Sequence, residues 1–104
     1  MMKYSCLAAI FTLAVWGAEW PGWRGPHRDG LSMESGLLKA WPAGGPPLAR
    51  EAHGLGAAFS SVAIAGDRIY TMGDRRDGQY VLALNRADGK TVWATRIGEP
   101  WEGQ

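Results

Sequence analysis

A chain of 104 residues with 11 Lys and Arg against 10 Asp and Glu has room for one small domain. It carries no net field to draw nucleic acid or anionic lipid. Its single cysteine, Cys6, lies near the N-terminus, so the remainder of the chain has no disulfide framework available to it.

In chain order, Lys3 is the only charge before Glu19, and between them lies the apolar run YSCLAAIFTLAVWGA. That run is too short to span a bilayer as a helix and suits the core of a secretory signal. A cut after Gly17 leaves Val15 and Gly17 at the positions that favour small residues; a cut after Ala18 puts Trp16 there instead, which is less favourable. Residues 1–18 are therefore expected to be a signal peptide, with the mature chain periplasmic or extracellular and without a membrane span. An uncleaved N-terminal anchor is the alternative. Cys6, preceded by Lys3, Tyr4 and Ser5, does not have the setting of a lipoprotein acylation site.

Residues 19–57 hold five of the six prolines, many glycines, and the tryptophans Trp20, Trp23 and Trp41. Such a composition favours an extended arm lying on another surface, with its aromatic side chains as anchors. The candidate anchors are Trp20, Trp23, Arg24 and Gly25. Arg24 sits between an indole and a glycine, where a guanidinium stacked on the ring and bonded to carbonyls pins the arm down. Only Leu31 to Ala40 has the makings of a short helix, with Ser32 as N-cap, Glu34 early and Lys39 late. Gly36 weakens it, and Glu34 and Lys39 are five apart, which is the wrong spacing for a helical ion pair.

From Phe59 the texture changes to β-branched and aromatic residues in alternation, the pattern of antiparallel strands. Val62 and Ile64 share a face; Gly66-Asp67 turns the chain into Ile69 to Met72, Asp77-Gly78 into Tyr80 to Leu84, and Asp88-Gly89 into Thr91 to Ile97. Asp67, Asp74, Asp77 and Asp88 read as turn-formers, and Arg75-Arg76 as a solvated hairpin tip. Both alternating sets of the third strand are apolar, Leu82 and Leu84 on one side and Val81 and Ala83 on the other. A sheet apolar on two faces has to be sandwiched.

The segment ALNRADGKTVW, Ala83 to Trp93, has the makings of a latch. Gly89 permits a tight turn, Asn85 or Asp88 can bond its backbone, and Trp93 lies over the turn and reaches towards a neighbouring sheet. Here the chain resembles the PQQ-binding-like (quinoprotein-like) β-propeller family, whose repeats follow the pattern YALDAxTGKxxW. Tyr80, Ala83, Leu84, Gly89, Lys90 and Trp93 fit that pattern; Asn85 stands where aspartate is usual and Asp88 where threonine is usual. WPGWRGPHRDGLS and GLLKAWPAGGPPLA are similar to the lead-in of secreted bacterial members, with Ala49-Arg50 where relatives often place a tryptophan.

The resemblance implies an all-β fold in which residues 58–98 form one four-stranded antiparallel blade of an incomplete propeller, after a signal peptide and an irregular arm. Residues 99–104 then begin the linker to a next blade. Propellers close with about four to eight blades, so the expected partners are the remaining blades of the same ring, and a protein partner beyond them. Isolated, such a chain is expected to be at best partly ordered. The implied function is a non-catalytic scaffold like the family's propeller that assists outer-membrane β-barrel assembly. The alternative is a quinone-dependent alcohol or sugar dehydrogenase, with PQQ and calcium bound in other blades. A third reading is a short secreted protein that self-assembles by pairing strand edges.

The segment itself offers no catalytic, cofactor-binding or metal-binding residue. There is no adjacent cysteine pair. His27 and His53 lack a second ligand at metal spacing. Ser60-Ser61 lacks the glycines of a nucleophile elbow, and Gly44-Gly45 precedes prolines where a phosphate loop needs Lys-Ser or Lys-Thr.

Overall fold

A computed structural model of the chain describes residues 18–101. Apart from Ala18, the expected signal peptide lies outside the described residues, as does the end of the expected linker. The described residues contain no helix. They form one antiparallel sheet of four strands, β1 (Ala63–Ala65), β2 (Arg68–Arg75), β3 (Gly78–Asn85) and β4 (Thr91–Gly98), in the spatial order β1-β2-β3-β4. Short loops between consecutive strands leave no route but an up-and-down meander.

The first strand is shorter than the sequence pattern suggests. Ala57 makes both bridge hydrogen bonds with Asp74 of β2 (2.9 and 2.8 Å), but the chain then leaves the edge of β2 until Ala63. Side-chain chemistry explains the gap. Ser60 Oγ accepts the Met72 N–H at 3.2 Å, and Thr71 Oγ1 donates to the Ser61 carbonyl at 3.4 Å, so serine hydroxyl and loop carbonyl replace the ladder. Phe59 is left fully exposed at 101% instead of opening a strand.

Two further expectations are corrected. Residues 31–40 are not helical: Gly36 takes φ +72°, the Glu34 N–H donates to Ser32 Oγ at 3.3 Å, and the Glu34 carboxylate accepts the Ala18 N–H at 2.6 Å. A left-handed glycine in mid-segment ends any helical run. The second hairpin turns at Arg76-Asp77, with Gly78 already paired to Arg75 as the first residue of β3. Asp74 therefore lies in a strand opposite Gln79, and Arg75 is half-buried while Arg76 is exposed.

Alternation divides the sheet into two faces. One carries Ile64, Ile69, Leu82 and Leu84, and there Arg50, Ala52 and Leu55 of the returning arm line a cavity with Ile64, Ile69, Leu84 and Gly89. On the other, Tyr70, Ala83 and Trp93 stand side by side in register. Among the described residues the buried apolar side chains are Leu82, Ala83 and Leu84. That is a very small core, and Met72, Val92, Trp93 and Ile97 are all left substantially exposed.

The sheet's two edges differ. Beyond β1, Trp20 exchanges both backbone hydrogen bonds with Ile64 (3.0 and 2.8 Å), and Glu19 Oε1 accepts the Gly66 N–H at 2.8 Å. The arm thus caps that edge. No described segment pairs with the outer edge of β4, whose residues are exposed from Thr91 to Ile97. Register shifts opposite Ala83/Leu84 and Gln79/Tyr80 place Val92 and Ile97 at bulges, features that twist an open strand and limit indiscriminate pairing.

Candidate functional site

The latch segment closes on itself by backbone bonds reinforced by side chains. Asn85 and Lys90 shut the loop through Asn85 N–H to Lys90 carbonyl, and Gly89 N–H donates to the Asn85 carbonyl, both at 2.8 Å. Inside it, Asn85 Oδ1 accepts the Ala87 N–H and Asp88 Oδ1 the Lys90 N–H, each at 3.0 Å. Asparagine and aspartate satisfy their own turn backbone two residues on, so these two residues leave a bonded turn. Gly89 is buried because Ala52 and Arg50 of the arm pack against it, at 3.8 and 3.7 Å from where a β-carbon would sit.

Trp93 makes its ring contact with Tyr70, with ring centroids 6.1 Å apart and planes at 49°, within the favoured range for tilted aromatic pairs. The two rings sit on β4 and β2, and they meet because the intervening partner on β3 is Ala83, at 0% exposure. Trp93 remains 42% exposed and Tyr70 is half-buried, so the aromatic pair is only partly covered.

The arm anchors fall into two groups. Trp20 and Gly25 pack together: a β-carbon on Gly25 would meet the Trp20 ring at 2.7 Å, and Gly25 takes φ +81°. Trp23 is exposed. Arg24 has φ +68°, accepts the Gly30 N–H at its carbonyl (2.9 Å), and sends Nη2 to the Asp29 carbonyl at 3.5 Å. It braces its own loop. Among the described residues the cation–π contact is between Arg75 and Tyr80, with the guanidinium 4.8 Å from the ring centre.

Sequence reasoning missed several connections. The Arg86 N–H donates to the Asp67 carbonyl (2.9 Å) and Arg86 Nη1 to the Gly66 carbonyl (3.2 Å), so two loops are tied at one end of the sheet. At the other end the chain after β4 folds back, and the Trp101 N–H donates to both Asp74 oxygens at 3.2 Å. One signal was available for the arm crossing: Gly73 inside a strand marks a close backbone approach.

Around Tyr80 the charges are arranged tightly. Its hydroxyl donates to Asp77 Oδ2 at 2.7 Å; Arg96 Nε donates to the Asp77 carbonyl and Arg96 Nη2 to Glu99 Oε1, both at 2.8 Å. The bond to Asp77, then partial burial and the carboxylate charge, raise the Tyr80 pKa above its ordinary value, while Arg75 and Arg96 pull the other way. A raised folded-state value means this contribution to stability is intact below the ordinary tyrosine range, about 10. It is lost as pH climbs through the raised value. Ultraviolet titration of the tyrosinate should show one late-titrating group that moves earlier in Asp77→Asn; an unmoved midpoint contradicts the assignment.

Among the described residues no three His, Cys, Asp or Glu side chains gather as metal ligands, and no helix is long and apolar enough to cross a membrane. Comparison with protein-family models, curated proteins and solved structures returned no match.

Proposed function

We propose that this sheet is one blade of a β-propeller exported from a bacterial cell, and that the ring serves as a non-catalytic scaffold for binding and assembly. One observation carries the reading. A regular four-stranded meander carries an aromatic pair, Tyr70 and Trp93, of which Trp93 is 42% exposed, and among the described residues only three apolar side chains, Leu82, Ala83 and Leu84, are buried. A sheet of this kind reaches stability when a second layer covers it. Neighbouring blades supply that layer in a propeller, and the ring then offers loop ends and strand edges to partners.

The capped β1 edge and open β4 edge suit a blade whose inner side is fixed by the arm. The resemblance of Ala83 to Trp93 and of the arm to PQQ-like repeats supports the same reading, as does the signal-like apolar run for export. The rival is an oxidoreductase on the same ring, using PQQ and calcium. That rival places its site in other blades, and among the described residues no three His, Cys, Asp or Glu side chains gather.

Titration of the protein with pyrroloquinoline quinone and calcium separates the two. The scaffold reading expects no change in absorbance or melting temperature. A saturable, calcium-dependent change in either overturns it in favour of the enzyme.

A further inference from the structure

The first described residue is bonded to a carboxylate. The Ala18 N–H donates to Glu34 Oε1 at 2.6 Å, across 16 positions of sequence. Its nitrogen belongs to the Gly17–Ala18 amide, the bond that the small residues Val15 and Gly17 mark for removal of a leader.

Both partners are placed by other bonds. Just beyond Ala18, Glu19 Oε1 accepts the Gly66 N–H and Trp20 exchanges both backbone bonds with Ile64, so the chain is fixed along the edge of β1. On the far side, Asp29 Oδ1 accepts the Leu31 N–H at 3.0 Å and Ser32 Oγ accepts the Glu34 N–H at 3.3 Å. The ion pairs among the described residues are His53 with Glu51, Arg68 with Asp67 and Arg96 with Glu99. Glu34 therefore has no lysine, arginine or histidine partner among them, and its carboxylate is turned to a backbone nitrogen instead.

We propose that the Gly17–Ala18 bond is the processing site and that Glu34 receives the amino-terminus created there. The inference rests on the reading of the chain as exported. In the cut, a hydrolase of the signal-peptidase class adds water across the amide: Gly17 departs with a carboxylate, while the Ala18 nitrogen keeps the bonding electrons, takes up protons and becomes an ammonium. A neutral N–H on the Glu34 carboxylate is thereby replaced by a full positive charge at the same place, and such charge-assisted bonds are the stronger kind. A cut after Ala18 removes the donor and leaves Glu34 without it. A cut beyond Trp20 also uncaps the β1 edge. Residue preference before the bond and the carboxylate after it thus select the same amide on separate grounds.

Expression of the full chain in a bacterium with an intact secretion route, followed by intact mass and N-terminal sequencing of the product, tests the bond. A single product beginning at Ala18 is expected. An exported product beginning at Glu19 or elsewhere overturns the site and leaves export standing, whereas an uncleaved chain kept inside the cell overturns both. The receptor is tested on the exported product by acylation of its amines at neutral pH, read by peptide mass. Ala18 and Glu34 are both exposed, so the reagent has access. Only the unprotonated amine reacts, and an adjacent carboxylate holds the proton on, so the Ala18 amine should react about threefold or more faster in Glu34→Gln. Lys39 and Lys90 should be unchanged, and Glu51→Gln, which removes the same charge elsewhere, should leave the Ala18 rate as it was. Equal Ala18 rates with and without Glu34, or equal acceleration by Glu51→Gln, overturns the receptor.

Discussion

Gly73→Ala is expected to detach Leu55–Ala57 from β2 and to destabilise the chain by roughly 2–4 kcal/mol, combining overpacking with the loss of two backbone bonds. A β-carbon at Gly73 would collide with the Leu55 carbonyl oxygen and approach its carbon at 2.7 Å. These are backbone atoms, which cannot rotate away. Gly56 is locked in the same crossing, with φ +91° and the Asp74 carbonyl oxygen 2.5 Å from its own β-carbon position. In an ordinary strand, glycine to alanine stabilises by roughly 0.4–1 kcal/mol through the unfolded chain, so the crossing reverses the sign. Hydrogen exchange checks this: the Ala57 and Asp74 amides should lose protection while β3 and β4 amides keep theirs. Gly44→Ala, with nothing within 4 Å, should leave the pattern intact. Retained protection at Ala57 in Gly73→Ala contradicts the crossing.

Leu82→Ala should cost about 2–5 kcal/mol, the usual range for emptying a fully buried leucine site. Leu82 is at 0% exposure and is the largest fully buried side chain among the described residues. Against a whole-domain stability of roughly 5–15 kcal/mol, and with Ala83 and Leu84 the other buried apolar side chains among the described residues, that loss removes much of what holds the strands together. Phe59→Ala provides the contrast, because its ring is fully exposed. Amide protection throughout β2 and β3 should fall in Leu82→Ala and stay unchanged in Phe59→Ala. Equal effects of the two substitutions contradict the assignment of the core.

The sheet was legible in the sequence where local chemistry decides structure. Alternation in Tyr80 to Leu84 and the turn residues at Gly66-Asp67 and Asp88-Gly89 are signals that act within a few residues, and the order β1-β2-β3-β4 follows from loops too short for any crossover. The bonds of Asn85 and Asp88 to their own turn are of the same local kind. What lay beyond local pattern was not legible. The start of β1 depends on Ser60 reaching Met72 across the sheet, and the position of the second turn depends on Arg75 pairing with Gly78. Gly78 looked like a turn glycine, yet its β-carbon position is occupied by Arg96 and, at 2.7 Å, by the Gly98 carbonyl.

The latch shows the same division. Its turn was readable, but the indole's partner was not, because Tyr70 and Trp93 meet only once Ala83 stands between them in register. The arm likewise read as a segment bound for another surface. Its return, Arg50 to Leu55, lies against this sheet's own face at Gly89 and Leu84, while Leu31, Met33, Leu37, Leu38, Trp41 and Leu48 remain exposed. One face is therefore partly covered by the arm, while on the other Trp93 stays 42% exposed, and the proposed function requires an outside layer there.

Calorimetric unfolding of the chain across a roughly hundredfold range of concentration tests that requirement most directly, because stabilisation by association makes the melting temperature depend on concentration. The account predicts either a broad, weakly cooperative transition at low concentration or one that sharpens and rises as copies associate through the partly covered aromatic pair and the open edge. A single sharp transition at the same temperature throughout, from a species of monomer mass, contradicts it.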